Sequence, residues 1–191
     1  MSDSLKDHLE MFHEHDIYLP TRTITLMGEV NNNMHETLLK NLHALDQLKT
    51  PGTINLYINS DGGSVDSCMA IYDAISGCNN FVRGVVNGEA SSSASIILQA
   101  CDTRIITPNS CVMIHIGTEA YAEDHVLNIK RYIKRNLEVE KWFNKVYMEK
   151  IKIKHPRFTQ IKLDKLLEFD TILSATECLD LGLVDEIRKL F

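Results

Sequence analysis

Short apolar segments, most of them set off from the next by a stretch of helical periodicity, constrain this chain more than any other feature. They are TITLMGEV (Thr23 to Val30), INLYIN (Ile54 to Asn59), NFVRGVVNG (Asn80 to Gly88), TRIITP (Thr103 to Pro108) and CVMIH (Cys111 to His115). A strand buried on both faces is apolar along its whole length, and strands of that kind alternating with helices form a mainly parallel sheet. The expectation is an α/β fold built from repeated β-α units. With 191 residues, 44% of them hydrophobic, the chain can bury a sizeable core as one domain without covalent staples.

Three of these segments end on residues with chemical potential. The second runs into Asp61-Gly62-Gly63, where glycines leave room for a backbone N–H to approach a developing oxyanion closely. The third runs into GEASSSAS (Gly88 to Ser95), small residues that open a buried helix continuing through Ile96, Ile97 and Leu98. The last ends on a histidine, His115. A serine, an imidazole and close backbone donors are the parts of an acyl-transfer centre. Each also has a structural explanation: a Gly-Gly is an ordinary strand-to-helix turn, small serines aid close packing, and a histidine caps a strand. Two other serine- or glycine-rich motifs do not fit. Ala94 stands where G-x-S-x-G needs its second glycine, and the lysine of a phosphate-binding loop is missing.

YINSDGGSV (Tyr57 to Val65), GEASSSAS, PNSCVMIH (Pro108 to His115) and FDTILSATECLDLGLVDEI (Phe169 to Ile187) together resemble the Clp protease proteolytic subunit, ClpP, in the family's order and near its spacing. The resemblance covers Ile24 to Ile187 and implies a crotonase-like ClpP fold with a protruding handle helix. By motif position it implies that Ser92 is the nucleophile, His115 the general base and Asp170 the group that orients the imidazole. It also implies oxyanion donors on the backbone N–H of Gly63 and Ser93. Motif position alone selects Ser92 from the triplet Ser91-Ser92-Ser93, and Asp170 from Asp164, Asp170, Asp180 and Asp185. Three positions depart from the family pattern: Asp61 where proline is usual, Ser93 where methionine is usual, and Ala94 where glycine is usual. Asp61 adds negative charge near the expected oxyanion site.

The resemblance further implies a serine endopeptidase that hydrolyses unfolded polypeptides by an acyl-enzyme mechanism in proteolysis for protein quality control. Such subunits form two stacked heptameric rings, a tetradecamer, and are fed by a hexameric AAA+ unfoldase, so ATP enters only through that partner and the chain itself needs no cofactor. Substrate is expected to add as a strand beside residues 63–65 and 116–119. Two other readings stand beside this one. A catalytically silent ClpP-like scaffold subunit would keep the assembly and make no acyl-enzyme, whereas a crotonase-type acyl-CoA enzyme would bind a coenzyme A thioester.

A helical pattern from about His125 to Lys150 carries Val126, Ile129, Ile133, Leu137, Phe143, Val146 and Tyr147 near helical spacing, and Pro156 interrupts it. Its apolar face needs a partner, either the chain's own core or, as the resemblance implies, the facing ring through the handle. Residues 1–22 are expected to form a divergent N-terminal segment ahead of a single ClpP-like protease domain over 23–191. His13-Glu14-His15 is read as solvated rather than as a metal site. The net charge of −6 and the lack of interleaved basic and aromatic residues point away from nucleic acid. No apolar run approaches the length of a membrane span. Five cysteines, widely spaced and mostly in apolar segments, are read as reduced thiols, which places the chain in the cytoplasm.

Overall fold

The computed structural model describes residues 3–117 and 125–190. The first elements are α1 (Asp3–His15), the short strand β1 (Ile17–Tyr18), β2 (Thr23–Val30), α2 (Asn32–Asp46), β3 (Ile54–Gly63), α3 (Val65–Ser76), β4 (Val82–Ser91) and α4 (Ser93–Ala100). The chain continues through β5 (Thr103–Ile106), β6 (Cys111–Ile114), α5 (Val126–Lys154), α6 (Gln160–Leu167), β7 (Thr171–Ser174), α7 (Ala175–Leu181) and β8 (Glu186–Ile187). Repeated β-α units thus build the mixed α/β architecture.

The strands run in the order β1-β2-β3-β4-β5-β8, with β6 beside β4 and β7 beside β6. All neighbours from β2 to β8 are parallel, whereas β1 on β2 and β7 on β6 are antiparallel. Strand β4 serves two partners on one edge: Arg83 to Val86 pair with β5, and Glu89 to Ser91 pair with β6. Between the two halves the register against β3 shifts, from Ile58 opposite Val86 to Ser60 opposite Ala90. Gly88 makes the offset possible. It has φ +119°, and a Cβ there would strike the Asn59 side chain, whose Oδ1 accepts the Glu89 N–H at 3.1 Å.

The apolar runs become core on one face of the sheet, where α2 and α4 pack: Ile24, Leu26, Leu56, Ile58 and Val86, with Ile96, Ile97 and Leu98 of α4, are fully buried. The expectation of a sheet covered on both faces is not met, because side chains alternate along a strand and Thr23, Met27, Asn55, Tyr57 and Asn59 on the opposite face of β2 and β3 are half-buried or exposed. Helix starts follow their capping residues. Asn31 accepts the Met34 N–H at the start of α2, and Ser174 with Glu177 forms the reciprocal capping box that opens α7.

Three boundaries differ most from the sequence reading. The second strand does not stop at Asn59, because Gly62 and Gly63, at φ +92° and +141°, keep it paired to Glu29 and Val30 of β2. The third runs on to Ser91 after the offset at Gly88. The long helix ends at Lys154 rather than near Lys150, two residues before Pro156, whose ring disfavours helical backbone in the residue ahead of it. Residues 3–22 also carry structure: Ile17 is buried, the Asn41 side chain donates to the His15 carbonyl at 2.5 Å, and Thr25 donates to Asp16 at 2.8 Å.

Helix α5 has two environments. Val146, Tyr147 and Ile151 are buried against the chain's own core, whereas Val126, Leu127, Ile133 and Leu137 in its first turns are exposed. No described helix is long and apolar enough to cross a membrane.

Candidate active site

Strand register assembles the site. Along β4 and β6 the parallel rungs Glu89–Cys111, Ala90–Val112 and Ser91–Met113 put the next residue, Ser92, level with the end of β6. Along β6 and β7 the antiparallel rungs descend from Cys111–Ser174 to Ile114–Thr171, and continuing the ladder by one residue on each strand sets His115 opposite Asp170. Three residues far apart in the chain therefore leave the same end of the sheet side by side. His115 Nε2 lies 2.8 Å from Ser92 Oγ, and His115 Nδ1 lies 2.8 Å from Asp170 Oδ1. A carboxylate only accepts, so the proton sits on Nδ1 and Nε2 is left to accept from the serine hydroxyl.

Ser92 is the joint between β4 and α4. Its backbone has φ +52° and ψ −122°, a conformation that costs a non-glycine residue about 1–3 kcal/mol. Hydrogen bonds on both sides hold it there. The Ser92 N–H donates to the Met113 carbonyl at 2.9 Å, and the Ser92 carbonyl accepts from Ser95 N–H at 3.0 Å and Ser95 Oγ–H at 2.6 Å. The next residue, Ser93, is the first of α4, so its N–H belongs to the helix turn that has no internal acceptor.

Gly62 and Gly63 face this joint from β3. A Cβ on Gly62 would stand 2.6 Å from the Ser91 carbonyl and 2.8 Å from Ser92 Cβ, so only glycine fits beside the serine. Beside Gly63, Ser64 N–H donates to the Val30 carbonyl at 2.7 Å, and the alternation of a parallel ladder turns the Gly63 amide away from β2. The hydroxyl of Ser93 donates to the Gly63 carbonyl at 2.7 Å, tying together the two backbones that the sequence marks as oxyanion donors.

The neighbouring hydroxyls are occupied elsewhere, Ser91 with Glu89 at 2.7 Å and Ser93 with Gly63, so the imidazole meets Ser92 alone of the triplet. Among the C-terminal aspartates, Asp185 grips Arg104 and Asp164 accepts from Gln160, while Asp170 reaches His115. Asp61 is exposed, and water screens its charge from the backbone donors. Ala94 is fully buried in the helix packing.

A cleft of about 690 Å³ opens over Ser92 and His115, walled by Val65, Phe143, Tyr147 and Leu167 among others. Its size and largely apolar walls suit a side chain or short peptide. Of the residues expected to pair with a substrate strand, 63–65 and Ile116 border the cleft, whereas Thr118 and Glu119 lie outside the described residues. Among the described residues no group of three or more histidine, cysteine or acidic side chains could hold a metal.

Sequence reading missed two contributors. Tyr147 counts there only as one of the apolar positions of a helix, yet its hydroxyl lies 2.6 Å from Ser95 Oγ, directly beneath the Ser92 joint. The available signal was that a buried tyrosine needs a hydrogen-bond partner. The other is Arg104, buried, with its guanidinium shared between Asp185 and Gln99 of α4.

A serine on a strained strand-to-helix joint, an imidazole against it and a carboxylate behind the imidazole form the geometry with which serine hydrolases activate a hydroxyl. The chain belongs to the Clp protease family, whose family model it matches over residues 8–190. That match begins ahead of Ile24, where the motif resemblance starts, and takes in most of α1 and all of β1.

Proposed function

We propose that the chain is a ClpP-type serine endopeptidase subunit that cleaves unfolded polypeptide or peptides through an acyl-enzyme. The observation that carries this reading is the continuous contact from Ser92 Oγ through His115 to Asp170, 2.8 Å at each step. His115 takes the serine proton as Oγ attacks the scissile carbonyl, and Asp170 stabilises the imidazolium that results. The tetrahedral oxyanion is held by the N–H groups of Ser93 and Gly63. His115 then gives its proton to the leaving amine, and a water activated by the same imidazole clears the acyl group from Ser92.

Family membership supports work inside an oligomeric chamber of stacked heptameric rings, and the exposed apolar start of α5 supplies a surface for such assembly. In that setting the chain itself uses no cofactor and an AAA+ unfoldase delivers substrate. The five free cysteines fit a reducing, cytoplasmic setting.

The test is intact-mass spectrometry after treatment of the assembled protein with a fluorophosphonate, with oligomer mass followed by light scattering. The native chain is expected to gain one adduct, which Ser92→Ala and His115→Ala abolish while Ser91→Ala and Ser93→Ala retain it. An assembled native protein that takes up no probe identifies a silent scaffold instead.

A further inference from the structure

Beneath Ser92 runs a chain of hydrogen bonds that the acyl-transfer step does not use. Ser95 Oγ lies 2.6 Å from the Ser92 carbonyl and 2.6 Å from the Tyr147 hydroxyl. A carbonyl only accepts, so the one proton of Ser95 goes to Ser92, and Ser95 must in turn accept from Tyr147. Donation therefore has one direction: Tyr147 to Ser95 to the Ser92 carbonyl. That carbonyl and the Ser93 N–H are the two ends of a single peptide unit. Electron density drawn toward the carbonyl oxygen leaves the N–H a stronger donor, because hydrogen bonds in series polarise one another, most of all in a dry interior. Tyr147 is 1% exposed and Ser95 fully buried, so water does not compete.

We propose that Tyr147, through Ser95, is a positioning residue that polarises the Ser92–Ser93 peptide and so strengthens the Ser93 N–H as an oxyanion donor, coupling helix α5 to the chemistry. The proposal rests on the peptidase reading above for the role of that donor. It differs from packing alone in one respect: a phenylalanine keeps the ring in place and removes only the proton that starts the series. Tyr147 also stands in the wall of the cleft, so a shift of α5 about its buried turn changes the donor without touching Ser92, His115 or Asp170.

Tyr147→Phe, Ser95→Ala and the double variant are compared with the native oligomer in two measurements. The first is the 15N and amide-proton shift of Ser93 in the unreacted protein, which is expected to move in each variant. The second is the fluorophosphonate inactivation rate against pH. It is expected to fall about tenfold in each single variant and no further in the double, short of the hundredfold or more lost with a whole oxyanion donor, with the midpoint of the pH profile unchanged. A Ser93 amide unmoved by Tyr147→Phe overturns the relay whatever the labelling shows. Rates within twofold of native, losses that multiply in the double variant, or a displaced pH midpoint overturn its catalytic role. A native protein that takes up no probe while the Ser93 shift still responds overturns the peptidase reading and leaves the polarisation standing.

Discussion

Gly62 and Ser92 approach each other so closely that a single methyl group on the glycine would lie 2.8 Å from the serine Cβ. The contact joins β3 to the strand-helix joint, and it explains why the glycine pair belongs to a strand rather than to a turn. The backbone at Gly62, φ +92°, is open only to a residue without a side chain.

Gly62→Ala is therefore expected to disturb chemistry more than fold. The added atom pushes on the Ser91 carbonyl, Ser92 Cβ and the Ser93 N–H together. A misplacement of about 1 Å at a reacting centre costs about a hundredfold in rate, while the backbone strain costs about 1–3 kcal/mol. Fluorophosphonate inactivation rate and urea unfolding, measured side by side, check both figures. Gly63→Ala provides the contrast, since its Cβ would strike the Val30 carbonyl of β2 instead.

Asp170→Asn is expected to slow inactivation by about a hundredfold, less than the ten-thousandfold lost when a buried triad aspartate is changed this way. The difference lies in solvent: the Asp170 side chain is 72% exposed, so water competes for the imidazole and helps to screen the imidazolium. A loss near ten-thousandfold would mean that assembly or substrate buries the pair.

Acid should weaken the fold through two carboxylates outside the serine, histidine and aspartate centre. Hydrogen bonds from Asn80, joined by those of Asn79, hold the Asp46 carboxyl far below the usual range. Burial pushes the Asp185 carboxyl upward, but the hydrogen bonds and charge of Arg104 outweigh it and the net direction is down. A depressed acid stabilises the folded state fully above its unfolded value, near 3.9, and loses that contribution as pH falls toward the lower folded value. Urea midpoints should fall between about pH 5 and pH 2. Asp46→Asn and Asp185→Asn should each be less stable at pH 7 and flatter across that range.

Thiol reactivity should follow burial. Burial pushes Cys68, Cys101 and Cys178 up to about 12, and Cys78 up to about 11, so little thiolate exists at pH 8. Iodoacetamide at that pH, followed by peptide mass spectrometry, should modify the half-buried Cys78 and Cys111 first and reach the other three only after denaturant is added.

The apolar runs announced the strands because their buried face is packed with large aliphatic side chains, and Ser174 with Glu177 announced α7 because capping is local. What local pattern could not convey was register. The offset at Gly88, which carries Ser92 to the level of His115, depends on an Asn59 side chain nearly thirty residues earlier, and the pairing of His115 with Asp170 depends on how β7 settles against β6. Motif position pointed to the same three residues, but only the ladders explain why they meet. The Tyr147 contact was illegible for a related reason: nothing in the spacing of an apolar helix face says that one ring ends in a hydroxyl beneath the joint on another element.

Strand β4, shared between β5 and β6, lies between partners on both edges, whereas β7 pairs only with β6 among the described strands. Amide exchange is therefore expected to be slowest along β4, which carries Ser92, and faster along β7, which leads from Asp170. The attacking group hangs from a strand held on both edges, while the carboxylate that supports the imidazole sits at the start of a strand held on one. A change confined to the edge at β7 is therefore expected to alter the centre more than it alters the melting temperature.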